Sequence, residues 1–309
     1  MPELTPLFDL FSTAGWEPPA IPEAAHVVAY GHQLVSLKSL PGVHIEADGT
    51  DKGIVARLVI AEGVKVEQPI HLCFGLFQQY GLQNVQLTLT LEPGAEATLW
   101  SHCLFSTPLA ARHAMQGELH LMEGALLRYQ EGHYHGASGD IEVIPHARVV
   151  LEKGARLLAD FNLIQGRVGR LDIDYAVDVG EAAVAELTSR VYGFGTDSIR
   201  IRERMDLNGV GARGLLKTRV AVRDQARAEV MNIMEGNAAN ARGHVDCMEI
   251  VRDEAVASAI PEVQVHHPQA KITHEAAIGS VDSKQLETLM ARGLTPEEAV
   301  DLIVRGMLT

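Results

Sequence analysis

The chain has few cysteines, and their spacing builds no disulfide framework. Cys73, Cys103 and Cys247 form no CxxC pair, and any disulfide scheme leaves one of them unpaired. This usage is typical of a reducing compartment, where thiols stay free for sulfur or metal chemistry. We therefore expect a cytoplasmic location and free thiols.

Other features that are scarce or missing exclude further classes of protein. The start of the chain lacks a basic segment followed by an apolar one, and no stretch approaches the roughly eighteen apolar residues of a membrane-spanning helix. The net charge of −14 is spread along the chain, which argues against nucleic acid or anionic lipid as a partner. Aromatic residues make up only 5% of the chain, which argues against a sugar-binding groove.

The sequence does contain a repeat. An apolar residue, two or three turn residues, an alanine and an apolar strand recur, as in LEPGAEATLW from residue 91. The marker alanines Ala95, Ala125 and Ala155 are thirty residues apart, and later copies follow at 28, 29 and 15. Repetition at a fixed period is typical of a solenoid.

The repeat predicts a mainly β fold. A unit of fifteen residues is too short for a helical hairpin but fits one strand and one turn, and the apolar residues alternate at strand spacing. Two units per period predict a flattened parallel β-helix with two main sheets and an alanine at each tight corner. We expect an N-terminal cap over residues 1–50, the β-helix over 51–281 and a helical segment over 282–309.

Helices are predicted at both ends. TPLFDLFSTAGW is an amphipathic helix candidate near the start. Near the other end, a helix begins at Asp282 and Ser283, and Gly293 closes it. Thr295 and Glu298 then form a capping box for a last helix. We expect Ala299, Leu302, Ile303 and Met307 to lie on one apolar face of this last helix.

The stretch from residue 243 to 308 resembles the SufB/SufD family of iron–sulfur cluster assembly proteins. HEAAIGSVD and LMARGLTPEEAVDLIVRGM carry the likeness, with a His-centred strand, a short helix ending in Arg-Gly and a terminal helix. The resemblance implies a right-handed parallel β-helix that scaffolds a transient Fe–S cluster at a dimer interface. The chain is most similar to minimal, single-type members, which form homodimers through their last strands.

The resemblance also implies partners. A SufC-like ABC-type ATPase would bind the C-terminal helices, and a sulfur donor is a further possible partner. The chain has no GxxxxGK[ST] motif, so ATP hydrolysis would belong to the ATPase and the chain itself would not be an enzyme. The residues expected to form the ATPase-docking surface are Leu286, Leu289, Met290, Arg292, Leu302, Ile303 and Met307.

A cluster site follows from the same resemblance. His274 and Glu275 match the family's His-Glu pair, and Asp246 matches the aspartate that follows the cluster cysteine. Val245 stands in place of that cysteine, and Cys247 lies two residues on, where a strand presents the same face. Cys247 is therefore either a ligand that reaches the cavity from the next pleat or a small buried thiol.

Strand alternation refines this ligand set of Cys247, His274 and Glu275. Neighbouring residues point to opposite faces, so only one of His274 and Glu275 faces the cluster unless a bulge intervenes, and we favour His274. His244 and Asp246 lie on the face opposite Cys247, where they would support the ligands. A site with so few thiolates suits a protein that must release its cluster.

Three alternatives stay open. Cys73 and Cys103 are one period apart and could stack in adjacent turns about 4.8 Å apart, either to pass sulfur or as ordinary buried thiols. GVGARG, residues 209–214, satisfies a dinucleotide-binding pattern, but a strand-like segment follows it, which favours a solenoid corner. The fold alone would also permit a cytoplasmic enzyme acting on a polysaccharide, or a structural solenoid.

Overall fold

The computed structural model describes residues 4–17, 21, 23–76, 80–105 and 110–308. Within these residues the chain forms nineteen strands and three helices. The strands are β1 His26–Tyr30, β2 Gln33–Lys38, β3 Val43–Thr50, β4 Gly53–Ile60, β5 Ile70–Gly75, β6 Tyr80–Leu91, β7 Glu96–Phe105, β8 Ala110–Leu121, β9 Leu126–His135, β10 Ile141–Leu151, β11 Arg156–Gln165, β12 Arg170–Val179, β13 Val184–Gly193, β14 Ser198–Leu207, β15 Arg213–Val222, β16 Arg227–Gly236, β17 Arg242–Val251, β18 Val256–Val265 and β19 Lys271–Gly279. The helices are α1 Thr5–Ala14, α2 Ser283–Met290 and α3 Pro296–Leu308.

From β4 onward, successive strands alternate between two facing sheets, so the chain is a β-solenoid of about eight turns. The first sheet contains the odd-numbered strands from β19 to β5 and continues through β1 to β2. The second sheet contains the even-numbered strands from β18 to β4 and ends in β3. From β4 and β5 onward, neighbouring strands within each sheet are parallel. The predicted parallel β-helix is confirmed.

The repeat found in the sequence is the turn of the solenoid. Glu96 of β7 pairs with Leu126 of β9, thirty residues on. The marker alanines Ala95, Ala125 and Ala155 lie at the corners just before these strands and are fully buried. Each follows a glycine with φ near +70°, a backbone conformation that a residue with a Cβ adopts only with strain. GVGARG forms another such corner, and β15 follows it, as expected.

Side chains alternate between an inner face, which points at the opposite sheet, and an outer face. In β13, for example, every second residue is buried. The inner faces hold the main hydrophobic core, which extends from β1 to β19. Burial of this apolar surface is the dominant favourable contribution to folding. Whether a side chain reaches the interior therefore depends on its position in the alternating pattern of its strand.

The N-terminal segment contains more strands than the sequence suggested. The predicted helix is present as α1, and β1, β2 and β3 follow it and hydrogen-bond to the solenoid sheets. Leu7 and Phe11 of α1 pack on the outer face of the first sheet, against Val28, Cys73 and Leu104. α1 therefore covers the outside of the first turns.

The predicted stacking of Cys73 on Cys103 is wrong. β5 and β7 pair Cys73 with His102, and Phe74 with Cys103. Cys103 lies on the inner face in the main core, whereas Cys73 lies on the outer face beneath α1. The offset at this turn is 29 residues rather than 30, and a slip of one residue reverses the face of every side chain.

The two C-terminal helices begin as predicted. The Asp282 carboxylate accepts a hydrogen bond from the N–H of Gln285 at 2.7 Å and so caps α2. At the start of α3, Glu298 Oε2 accepts from the N–H of Thr295 at 2.8 Å, and Thr295 Oγ1 accepts from the N–H of Glu298 at 3.3 Å. This reciprocal pair is the capping box. In the described part of the chain, no helix is long and apolar enough to cross a membrane.

The face that α3 buries differs from the predicted one. Val300, Val304 and Leu308, spaced by four residues, are buried against Ala221 and Ile250 on the outer face of the first sheet. Of the four residues expected to share one apolar face, only Ala299 is buried; Ile303 and Met307 are half-buried, and Leu302 is 52% exposed. Apolar residues occur on several sides of this helix, so the sequence alone allows two packing faces.

Candidate functional site

The last two strands of the first sheet bring the candidate ligands together. β17 and β19 are parallel and pair Val245 with His274, Asp246 with Glu275, and Cys247 with Ala276. Paired residues share a face of the sheet. His274 therefore lies on the inner face, one pleat from Cys247, and Glu275 lies beside Asp246 on the outer face. The ligand roles of Cys247, His274 and Glu275 stay predictions.

Cys247 occupies the end of the core. Its side chain is 1% exposed, and burial raises the pKa of its thiol to about 12, with the nearby Glu249 and Glu203 carboxyls adding to the rise. The thiol is therefore protonated at neutral pH in the isolated chain. Binding of a metal ion would have to release that proton, because the thiolate is the ligand.

Glu249 is a candidate ligand that the sequence reasoning missed. It lies two residues after Cys247 on the same inner face, is 1% exposed, and neither carboxyl oxygen has a hydrogen-bond partner among the described groups. Burial raises its pKa to about 7, and the guanidinium of Arg219 opposes the rise. Strand alternation, which places His244 and Asp246 on the outer face, also predicts that Glu249 lies on the inner face, because it is two residues from Cys247.

The outer face of β17 carries a separate set of contacts. His244 Nδ1 lies 2.8 Å from Thr273 Oγ1 of β19. Arg219 Nη2 donates to Asp246 Oδ2 at 2.5 Å, and this contact lowers the pKa of the Asp246 carboxyl. These bonds tie β17 to its neighbours on both sides, so His244 and Asp246 hold the strand that carries Cys247.

The end of the solenoid beyond this site is uncovered. β19 pairs only with β17 in the described part of the chain, and all its residues from Thr273 to Gly279 are exposed. Apolar side chains are exposed on the same end, among them Ile260 and Val265 of β18 and Ile278 of β19. An open strand edge with exposed apolar side chains is a site for pairing with another chain.

A buried polar group lies in the turns before Cys247. Thr218 pairs with both Ser189 and Cys247 along the first sheet. From across the core, the Glu203 carboxylate accepts from Ser189 Oγ at 2.6 Å and from Asn232 Nδ2 at 3.3 Å. The inner face next to Cys247 is therefore polar as well as closed to solvent.

The predicted ATPase-docking residues fall into two groups. Leu286 and Met307 are half-buried in the cluster that joins the helices to the solenoid. Met290 is 40% exposed and Leu302 is 52% exposed, so these two offer apolar surface to a partner. In the rest of the set, Arg292 is exposed, and Leu289 and Ile303 are half-buried.

The chain is similar to one family model and to several known proteins. A family model described as SUF system FeS cluster assembly, SufBD core domain, matches residues 77–307. An iron–sulfur cluster assembly SufBD family protein of Methanocaldococcus jannaschii is 37% identical over 282 residues, which cover 91% of this chain and 89% of that protein. A protein of Pyrococcus horikoshii with the same description is 35% identical over 284 residues, covering 92% and 86%. Another, of Archaeoglobus fulgidus, is 27% identical over 250 residues, covering 80% and 66%.

Proposed function

Because the chain belongs to the SufBD family of iron–sulfur cluster assembly proteins, we propose that it is a scaffold on which a labile cluster is built and from which it is released. The observation that carries the proposal is the inner face shared by β17 and β19. Cys247, Glu249 and His274 lie on that face, at the uncovered end of the solenoid. A thiol, a carboxyl and an imidazole are all groups that bind iron.

The composition of this face supports a transient cluster. Stable iron–sulfur clusters are held mainly by thiolates, generally four of them. Here one chain offers a single thiol, Cys247, with harder oxygen and nitrogen groups around it. Fewer soft ligands mean weaker retention, which suits a protein whose cluster must pass to another protein.

A second copy of the chain would complete the site. The exposed edge of β19 and the apolar side chains of Ile260, Val265 and Ile278 favour pairing of two copies through their last strands. A two-fold axis at this edge would double the set to two thiols, two imidazoles and two carboxyls. In this proposal the cluster lies between the two copies.

The partner ATPase would dock on α2 and α3 and supply the energy for assembly or release. α3 packs on Ile250, four residues from the Arg219-bound Asp246, and the groove between the helices and the last strands includes Glu249, Ile278 and Met307. A movement of the helices would therefore act directly on the strand that holds Cys247. The chain itself performs no hydrolysis in this scheme, and a separate donor supplies sulfur.

The test is anaerobic reconstitution with iron and sulfide, with bound iron measured and the cluster observed by absorbance and Mössbauer spectroscopy. We expect Cys247→Ala and His274→Ala to lower bound iron, because both residues lie on the inner face. Glu275→Ala is the matched control. The Glu275 side chain is next to His274 in sequence but lies on the outer face, so this substitution should leave bound iron unchanged. Equal iron in all variants, with no ATPase co-purifying with the chain, would contradict the scaffold proposal.

A further inference from the structure

A second group of metal-binding side chains lies deep in the first turns, five strands away from Cys247. Ligand atoms of Cys103, Glu131 and His133 all lie within 4.8 Å of one another. His113 Nε2 is 3.6 Å from Cys103 Sγ, and His133 Nε2 is 2.8 Å from Glu131 Oε1. All four side chains are at most 2% exposed. The sequence reasoning did not find this group, since its members are spread over three strands.

The solenoid register brings these side chains together. β7 and β9 pair Cys103 with His133, and Ser101 with Glu131, so the thiol, imidazole and carboxyl share the inner face of the first sheet. His113 belongs to β8 in the second sheet and reaches Cys103 from across the core. Ligands therefore come from two sides of one enclosed space, as a closed coordination shell requires.

Surrounding hydrogen bonds fix the orientation of His113. The Gln83 amide donates through Nε2 to the carbonyl oxygens of Gly31 and Gly75, at 2.9 and 3.3 Å. Its Oε1 is thereby left to accept from His113 Nδ1 at 2.9 Å. The other ring nitrogen, Nε2, carries no proton and points its lone pair at Cys103. Metal-binding histidines are commonly held in this way by a partner on the second nitrogen.

The other two ligands have supporting contacts of the same kind. His133 Nδ1 lies 3.3 Å from His135 Nε2, which can accept a hydrogen bond from the Nδ1–H when His133 Nε2 binds an ion. The Tyr129 hydroxyl donates to Glu131 Oε2 at 2.9 Å, so Oε1, which contacts His133 Nε2, is the oxygen that would bind an ion. The ligand atoms of Cys103, Glu131 and His133 thus lie together, and His113 Nε2 contacts the Cys103 thiol, while the second nitrogen of each histidine and the second oxygen of Glu131 have partners.

We propose that Cys103, His113, Glu131 and His133 form a closed site for one zinc-type divalent cation, which goes beyond the cluster-scaffold function. Such an ion prefers four N, O or S ligands at about 2.0–2.3 Å, which places the ligand atoms roughly 3.3–3.8 Å apart. The Cys103–His113 separation of 3.6 Å already lies in this range, and the Glu131–His133 contact has to lengthen from 2.8 Å by about half an ångström or more. His113 lies outside the group of three mutually close ligand atoms, so binding also has to draw it toward Glu131 and His133.

Charge balance is compatible with a divalent ion in this group. A thiolate and a carboxylate offset the two positive charges, so the complete site is neutral with both histidines uncharged. A neutral site avoids the large free-energy penalty of an uncompensated charge in the core. Four protein ligands leave no position for substrate, which is typical of a structural site that links neighbouring turns.

The test uses full-length chain produced in cobalt- or zinc-supplemented cells and purified without iron or sulfide. A Cys73→Ser/Cys247→Ser variant leaves Cys103 as its only thiol. We expect this variant to retain about one equivalent of metal, with a thiolate-to-cobalt charge-transfer band. X-ray absorption of the zinc form should show one sulfur neighbour at about 2.3 Å and nitrogen or oxygen neighbours at about 2.0–2.1 Å.

Adding Cys103→Ser to this variant should abolish the charge-transfer band and lower metal affinity at least ~100-fold, more than loss of an outer-shell partner usually does. Glu131→Gln should lower affinity in the same direction. The proposal is overturned if the sole-thiol variant holds no metal, or holds it without sulfur coordination. Since that spectrum is recorded with all four ligands intact, the test does not depend on whether the ligand variants fold.

Discussion

Glu203 allows a stability experiment that needs neither metal nor partner. Its carboxyl is fully buried and accepts hydrogen bonds from Ser189, Thr218 and Asn232. Burial raises its pKa from 4.5 to about 7, although the three hydrogen bonds oppose the rise. The folded chain therefore keeps this proton at pH values where the unfolded chain has already released it.

The sign of the pH dependence follows from this difference. Below about pH 4.5 both states are protonated, and the carboxyl causes no loss of stability. As the pH rises from about 4.5 to about 7, the unfolded state ionises first, so the free energy of unfolding falls. A pKa difference of about 2.5, at about 1.4 kcal/mol per pH unit, corresponds to a fall of about 3 kcal/mol.

Glu203→Gln removes the ionisable group and keeps the shape. We expect the variant to match the parent near pH 5 and to be more stable at pH 8 by up to about 3 kcal/mol, reduced by any hydrogen bond that the amide makes less well. Urea unfolding at several pH values measures this, provided that the denaturant slope is unchanged. Glu249, whose pKa is also raised to about 7, leaves a residual slope of the same sign in the variant.

Asp246→Asn is the matched control with the opposite sign. Arg219 lowers the pKa of Asp246, so its stabilising contribution is present above the unfolded pKa and is lost as the pH falls through the folded one. The variant should therefore lose stability mainly at neutral pH. If Glu203→Gln keeps the full slope of the parent between pH 5 and 8, the reasoning about the buried carboxyl is refuted.

Three further predictions concern the C-terminal end of the chain. Ile278→Asp should convert a dimer to a monomer in analytical ultracentrifugation, whereas Val210→Asp, also exposed but at a corner elsewhere, should not; a monomeric parent would exclude the dimer. If an ATPase docks as proposed, Leu302→Asp should weaken its binding in a pull-down without changing the melting temperature, because the side chain is 52% exposed; unchanged binding would remove Leu302 from the proposed docking surface. Thr295→Ala should destabilise α3 by about 1 kcal/mol, seen as faster amide hydrogen exchange confined to that helix.

The fold could be predicted because small residues recur at the period of the solenoid. The buried corners are occupied by alanine, so the alanines mark the turns, and their spacing gives the length of each strand-turn unit. The capping residues Asp282, Thr295 and Glu298 could also be predicted from the sequence, because a helix cap depends on hydrogen bonds between residues that are close in the chain. Alternation within β17 also placed His244 and Asp246 correctly on the face opposite Cys247.

What could not be predicted depends on contacts between distant residues. The face of Cys73 relative to Cys103 depends on a single residue in the connection between β5 and β7, which no local pattern records. The packing face of α3 was ambiguous because either of two apolar faces satisfies helical spacing. The site at Cys103 requires the register of β7 and β9 and the approach of β8, so its members show no motif spacing.

The stacked, in-register strands also fix the distance between Cys103 and Cys247. Cys103 and Cys247 lie on strands of the same sheet that are five neighbour-to-neighbour steps apart, which at about 4.8 Å per step separates them by roughly 24 Å. Removal or duplication of one whole turn would alter that separation by a single step while the ends kept their own contacts. Relatives with longer or shorter solenoids could therefore differ in the span between their two ends in fixed increments, without any change in the local chemistry at either end.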